Sequence, residues 1–155
     1  MTPVLTDAQL SKFHTDGFVV LPKFASEEDC LALRERAMQL AKEYVPSPEQ
    51  ATIFTADSNA KHAADEYFLS SGDKIRCFFE KDAFDANGIL RDEAHLCLNK
   101  LGHAMHDLDP QFSAFSHTEK LGVLAEQIGM SSPRLLQSMY IFKQPRIGGE
   151  VNCHT

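Results

Sequence analysis

The sequence predicts an α+β fold in which helices dominate residues 1–130 and strands dominate residues 131–155. Two patterns support this prediction. Several segments of the first 130 residues repeat apolar side chains at intervals of three and four, which is the spacing of one helix face. Residues 135–142 instead alternate between two sets that are both largely apolar, which is typical of a strand covered on both faces.

Two helices are predicted near the start of the chain. Thr6 and Gln9 form a capping-box pattern that begins the first helix, and Gly17 is well placed to end it. Ser26 caps a second, longer helix whose first turn is acidic, which favours a helix N-terminus. Between the two helices, residues 18–21 form a compact apolar run of the β type.

The middle of the chain is less regular. Residues 46–66 show little periodicity and predict a long surface loop, either a variable connector or a lid over a site. Residues 67–74 resemble a strand end followed by a turn, and residues 75–80 form an aromatic-rich β-type run. The dipeptide Asn87-Gly88 predicts a further turn.

The last elements are two helices and two strands. Apolar spacing predicts a third helix from about residue 93 to residue 107, which Asp109 and Pro110 break. A second capping-box pattern at residues 116–119 opens a fourth helix. Pro145 ends the strand at residues 135–142 because proline cannot donate to a ladder. A turn at Gly148-Gly149 then leads to a second strand at residues 150–154.

Composition limits the class of protein. A chain of 155 residues can build one domain with a substantial core. Its net charge is −7 and its fifteen basic residues are scattered, which argues against nucleic-acid binding. We expect no membrane segment, because no apolar run approaches about 20 residues. The four cysteines form no Cys-x-x-Cys pair, which predicts reduced thiols in a cytoplasmic protein.

Few residues suggest a metal site by themselves. His154 lies on a predicted strand, where residues i and i+2 face the same side, so a His-x-Asp or His-x-Glu pair there suits an iron facial triad. Thr155 follows His154, and a plain strand-end histidine is the alternative. His103 and His106 are three residues apart on the predicted third helix, but no second ligand pair accompanies them, so zinc is not favoured.

Three longer segments resemble the phytanoyl-CoA dioxygenase family. These are residues 67–81, residues 99–104 and residues 137–151, and the opening at residues 10–21 is also similar to the usual start of that family. The resemblance covers essentially the whole chain. It implies an oxygenase that depends on Fe(II) and 2-oxoglutarate and is built on a double-stranded β-helix, a jelly roll with helices packed outside it.

The resemblance also implies roles for individual residues. His154 matches the first histidine of the family's His-x-Asp iron motif, and Lys100 and Met139 match positions that line the 2-oxoglutarate pocket. A lysine ammonium can attract a dicarboxylate. Without the resemblance, Lys100 reads as a solvated lysine and Met139 as a core residue. The family name suggests an acyl-CoA-like substrate, and the resemblance does not fix the substrate further.

The resemblance also requires residues that the 155-residue sequence does not contain. They are a carboxylate after Thr155, a distal iron histidine and an arginine for the far carboxylate of 2-oxoglutarate. We therefore expect residues 1–155 to form a single partial domain. In it, N-terminal helices flank the first strands of an incomplete jelly roll, and residues 131–155 supply core strands. The alternative is a catalytically inactive truncated isoform or fragment that acts at most as an interaction module.

Overall fold

The structure is a computed structural model, and it describes residues 2–46, 66–80 and 82–149. A helical turn lies at residues 66–69, and a 3₁₀ turn at Ala94–Leu96 precedes β2. In chain order the other elements are α1 (Asp7–Asp16), α2 (Glu27–Glu43), β1 (Ile75–Phe79), β2 (Leu98–His103), α3 (Met105–Leu108), α4 (Pro110–Ser116), α5 (Glu119–Gln127) and β3 (Ser138–Ile141). The predicted second strand at residues 150–154 and most of the predicted loop at residues 46–66 lie outside the described residues.

The three strands form one antiparallel sheet in the order β1-β2-β3. The central strand β2 pairs with β1 through Leu101 opposite Cys77, and with β3 through Leu101 opposite Tyr140. Directly paired residues point to the same face of a sheet, so these three side chains share one face. The prediction of a mixed helix and strand architecture is confirmed in this coarse form.

This face of the sheet carries the hydrophobic core. The helices α2 and α4 supply residues to the same buried cluster. Ala37 and Ala41 of α2 are fully buried, and their small side chains let the helix lie close to the strands. Burial also raises the pKa of the Cys77 thiol to about 12, so this cysteine is an inert core residue.

The predicted helix starts at Thr6 and Ser26 are confirmed. Thr6 and Gln9 form both hydrogen bonds of a capping box, and the Ser26 hydroxyl accepts from the Asp29 N–H. Gly17 ends α1 with a φ of 80°, a left-handed conformation that suits glycine.

The predicted third helix is wrong for most of its length. Residues 98–103 form the central strand of the sheet, and the segment is helical only in the 3₁₀ turn at Ala94–Leu96 and in Met105–Leu108. The buried residues Leu98, Leu101 and Met105 have helical spacing, but two strand partners satisfy the backbone of β2 and decide its conformation. Gly102 inside the segment was a signal against a helix.

Three smaller predictions are also wrong. Residues 66–69 form a helical turn instead of a strand end, and residues 18–21 belong to no strand. Ser116 is the last residue of α4, while Thr118 precedes α5 and makes no side-chain cap bond. Asp109 begins a helix as well as ending one, because its carboxylate accepts from the first N–H groups of α4.

A buried carboxylate connects a surface turn to the sheet. Glu80, directly after β1, is 3% exposed. Its Oε1 accepts from the Asn99 side-chain amide at 3.0 Å, and its Oε2 accepts from the Gly149 N–H at 3.1 Å. The turn at residues 145–149 is therefore attached to β2 next to Lys100. No helix in the part of the chain that the structure describes is long and apolar enough to cross a membrane.

An ion pair joins the two core helices. The Arg36 Nε of α2 donates to the Asp109 carboxylate at 2.7 Å, and the Asp109 side chain is almost completely buried. Breaking a buried pair leaves an uncompensated charge, whereas exposed pairs contribute little.

We predict that Arg36→Met lowers the free energy of unfolding by about 3 kcal/mol, because the Asp109 carboxylate then stays buried without its cation. The matched control is Lys12→Met, which removes the exposed pair with Asp16 and costs less than about 1 kcal/mol. Urea denaturation of both variants measures the difference. Equal losses would show that the Arg36 pair is no stronger than a surface pair.

Candidate functional site

The face of the sheet opposite the core carries Lys100 and Met139. In the sheet register Lys100 lies opposite Phe78 on β1 and opposite Ile141 on β3. One step along, Gly102 lies opposite Met139. A Cβ added at Gly102 would meet the Met139 Cγ at 3.3 Å, so the missing side chain lets Met139 approach β2. The structure therefore brings the two predicted pocket residues together on one surface.

Lys100 is a half-buried cation that has no acidic partner among the described residues. Its Nζ lies 5.2 Å from the ring centroids of both Phe68 and Phe78. Among the described residues no hydrogen bond or ion pair reaches this ammonium. Burial lowers the pKa of Lys100. The face of an aromatic ring can stabilise a cation, but it does not accept the hydrogen bonds that the three ammonium N–H groups can donate.

His103 lies on the same two rings. Its ring centroid is 4.9 Å from that of Phe68 and 5.1 Å from that of Phe78, and the residue is 3% exposed. Its Nδ1 lies 2.7 Å from the Ser71 Oγ, while its Nε2 is buried and has no partner among the described residues. Burial, followed by the charge of Lys100, lowers the pKa of His103, so the ring is neutral near pH 7.

The family resemblance implied Lys100 and Met139, whereas the sequence pattern placed His103 with His106 as a pair on one helix. The structure separates them, because His103 ends β2 while His106 belongs to α3. His106 is occupied elsewhere: its Nδ1 lies 2.8 Å from the Ser138 Oγ. His103 belongs to the surface around Lys100 because it contacts the rings of Phe68 and Phe78, which are distant in sequence. No local sequence pattern indicates this position.

The residues around Lys100 fit a carboxylate ligand. The site offers two aromatic walls and an ammonium that no acidic side chain in the described ranges pairs with, and Met139 and Ile141 form a partly exposed apolar border. A metal is a different matter. Within residues 2–46, 66–80 and 82–149, no group of three His, Cys, Asp or Glu side chains could hold a metal ion. His154, the predicted iron ligand, lies outside these ranges.

Because burial disfavours the charged form of Lys100, the cation costs stability at neutral pH. We predict that Lys100→Met raises the free energy of unfolding by up to about 1 kcal/mol, or roughly 2–4 °C in melting temperature. Lys120→Met is the control, since Lys120 also lies over a ring, that of Phe24 at 4.0 Å, but on the exposed surface. Thermal melts that show no gain for Lys100→Met would contradict a penalty for burying this charge.

We also predict that stability falls as the pH is lowered from about 7 towards 5. The folded protein holds His103 neutral below its ordinary pKa of 6.5, so the unfolded chain binds more protons in this window. Urea denaturation at several pH values measures the slope, and His103→Gln should reduce it. His117→Gln, a change at an exposed histidine, should leave the slope unchanged. A slope that persists in His103→Gln would contradict the assignment.

Comparison with known proteins shows what the whole chain is similar to. A family model described as Phytanoyl-CoA dioxygenase (PhyH) matches residues 13–155. The Arabidopsis thaliana protein named phytanoyl-CoA dioxygenase is 44% identical over 154 residues, which are 99% of this chain and 53% of that relative. Phytanoyl-CoA dioxygenase domain-containing protein 1 of Bos taurus is also 44% identical, over 97% of this chain and 53% of its own length.

A more distant relative gives the same result. The homolog of phytanoyl-CoA dioxygenase domain-containing protein 1 in Caenorhabditis elegans is 39% identical over 143 residues, which are 92% of this chain and 50% of that protein. The chain thus spans about half the length of the curated relatives it matches. With a family model that covers nearly all of its residues, the chain belongs to the phytanoyl-CoA dioxygenase family.

Proposed function

We propose that this chain forms the 2-oxoglutarate-binding wall of an oxygenase that depends on Fe(II) and 2-oxoglutarate. Lys100 and Met139 are the proposed cosubstrate contacts, and His154 is the proposed iron ligand within these 155 residues. The observation that carries the proposal is the half-buried Lys100 ammonium, which has aromatic contacts but no acidic partner among the described residues. Membership of the phytanoyl-CoA dioxygenase family supports the proposal.

The described residues act in this proposal by binding and by excluding water. Lys100 donates to one carboxylate of 2-oxoglutarate. The electrostatic attraction between the two groups is stronger than in water, because the rings of Phe68 and Phe78 exclude water from the ammonium. Met139 and Ile141 cover the aliphatic part of the ligand. Fe(II) held with 2-oxoglutarate would activate dioxygen, which is the oxidant: one oxygen atom would enter succinate as carbon dioxide leaves, and the other would hydroxylate a substrate C–H bond.

The proposal extends to the fold and the substrate. Residues 131–155 supply early strands of a double-stranded β-helix. The first of these strands is β3, which pairs with β2. An acyl-CoA-like molecule is the proposed substrate class, on the basis of the family name alone. A cytoplasmic location is also proposed, since Cys30, Cys77 and Cys97 are free thiols and therefore suit a reducing compartment.

A second function has one observation in its favour. Leu135, Leu136, Met139 and Ile141 are all more than 40% exposed, and Leu136 reaches 84%. Exposed apolar side chains that lie close together mark surfaces that contact another protein segment. In this alternative a polypeptide of residues 1–155 has no catalytic role and acts as an interaction module through this surface.

Binding of 2-oxoglutarate separates the two functions. We predict saturable binding to the folded chain by isothermal titration calorimetry, and a loss of about 10- to 100-fold in affinity in Lys100→Met, because a charge-assisted hydrogen bond disappears. Lys120→Met is the matched control and should bind like the wild type. If the wild type is folded by circular dichroism and does not bind, the cosubstrate role of Lys100 is wrong and the interaction module is favoured.

Iron is tested separately. An anaerobic Fe(II) titration with 2-oxoglutarate monitors the weak metal-to-ligand charge-transfer band of the ternary complex. The family pattern requires ligands besides His154, so we expect no such band from a polypeptide of residues 1–155 alone. A band that is lost in His154→Ala would show that these residues hold iron with ligands not predicted here.

A further inference from the structure

The environment of His103 fixes which of its ring nitrogens carries the proton. The Ser71 hydroxyl donates its only hydrogen to the carbonyl oxygen of Phe68, which can only accept. The His103 Nδ1, 2.7 Å from the same hydroxyl oxygen, must therefore be the donor in that contact. In a neutral imidazole the other nitrogen then has a lone pair. The His103 Nε2 is thus a buried acceptor for which the described residues provide no donor.

Lys100 is the complementary group on the same surface. Its ammonium has three N–H donors and, among the described residues, only ring contacts. Lys100 and His103 both lie on the rings of Phe68 and Phe78, at centroid distances of about 5 Å. The Nε2 is covered from solvent, so a side chain that already lies on these rings can reach it more easily than a dissolved ligand can.

The other charged groups around His103 already have partners. On β1, Arg76 donates to the Tyr67 carbonyl and lies over the Tyr67 ring. In the turn before β1, Lys74 pairs with Asp73 at 3.0 Å. On α3 the charged or titratable groups are His106 and Asp107. The His106 Nδ1 lies within hydrogen-bond distance of the Ser138 Oγ, and its Nε2 lies 3.4 Å from the Asp107 carboxylate. The four residues of β3 carry no charge.

We propose that His103 is a positioning residue for Lys100: the ammonium, which contacts only the two rings in this structure, turns so that the His103 Nε2 accepts one of its N–H groups. This contact directs the remaining N–H donors towards an anionic ligand. Ser71 takes part by holding the imidazole in the tautomer that leaves Nε2 free to accept. The inference rests on the proposed function in taking 2-oxoglutarate as the anion, but the contact between Lys100 and His103 does not require the ligand.

The contact also affects the charge of Lys100. A hydrogen bond from the ammonium to a neutral acceptor favours the protonated lysine and so opposes the effect of burial. Loss of the acceptor should therefore lower the pKa of Lys100 further. A purely structural His103, important only for its contact with Ser71, would have no such effect.

Two conservative variants separate these roles. Asparagine has a polar atom close to the position of the imidazole Nδ1, whereas glutamine has one close to the position of Nε2. His103→Asn keeps a donor for Ser71 and loses the acceptor for Lys100, and His103→Gln does the reverse. We predict that His103→Asn lowers the pKa of Lys100 and weakens 2-oxoglutarate binding about 3- to 10-fold, while His103→Gln stays within about twofold of the wild type.

The pKa of Lys100 is measured by NMR of protein with ¹³C-labelled lysine, in the absence of ligand, with Lys100→Met used to assign the signal. Affinity for 2-oxoglutarate is then measured across the pH range by calorimetry. The opposite order, with His103→Gln impaired and His103→Asn normal, would overturn the proposal and leave His103 a structural partner of Ser71.

Ser71→Ala provides a second test that keeps the imidazole. It releases the constraint on the tautomer, so we expect the pKa of Lys100 to fall in the same direction as in His103→Asn. An unchanged pKa in both variants would overturn the proposal. If the pKa values respond as expected but the wild type does not bind 2-oxoglutarate, the positioning role stands and the proposed cosubstrate is wrong.

Discussion

The site depends on the pairing of β2 with a strand on each side. This pairing fixes the alternation of the central strand, so that Leu101 points into the core while Lys100 points away from it. It also places a residue of β1 and a residue of β3 directly opposite Lys100. A slip of β2 by one residue relative to its two neighbours would turn the ammonium towards the core. The fully buried Leu98 and Leu101 oppose such a shift, because both would then leave the core.

The two faces of the sheet meet different physical demands. The core face buries apolar side chains against α2 and α4. The Asp109 carboxylate, which pairs with Arg36 of α2, also accepts hydrogen bonds from the first N–H groups of α4. The other face holds a cation and a neutral imidazole on two aromatic rings, and neither polar group is fully satisfied by described residues. Unsatisfied polar groups oppose folding, so their presence together on one surface is more easily understood as a requirement of binding than of stability.

Local patterns predicted both ends of α1, although the one at residues 116–119 misplaced the start of α5, and prediction failed where strand partners decide. The start of α1 at Thr6 and its end at Gly17 depend on hydrogen bonds within a few residues, and both were predictable. The segment at residues 98–103 was mistaken for a helix because its apolar spacing fits either structure, and pairing with β1 and β3 decides between them. Family resemblance implied Lys100 and Met139, whereas His103, the proposed partner of Lys100, became apparent only from its ring contact with Phe68, which is distant in sequence.

The attachment of the turn at residues 145–149 has an entropic consequence. Glu80 holds the Gly149 backbone and the Asn99 side chain at once, and Asn99 adjoins Lys100 in β2. The chain therefore leaves the described structure from a point that is fixed relative to the ammonium. The conformational entropy of holding that point through Glu80 is lost when the protein folds and need not be lost again when a ligand arrives. Glu80, which touches neither predicted pocket residue, thus contributes to preorganisation of the site.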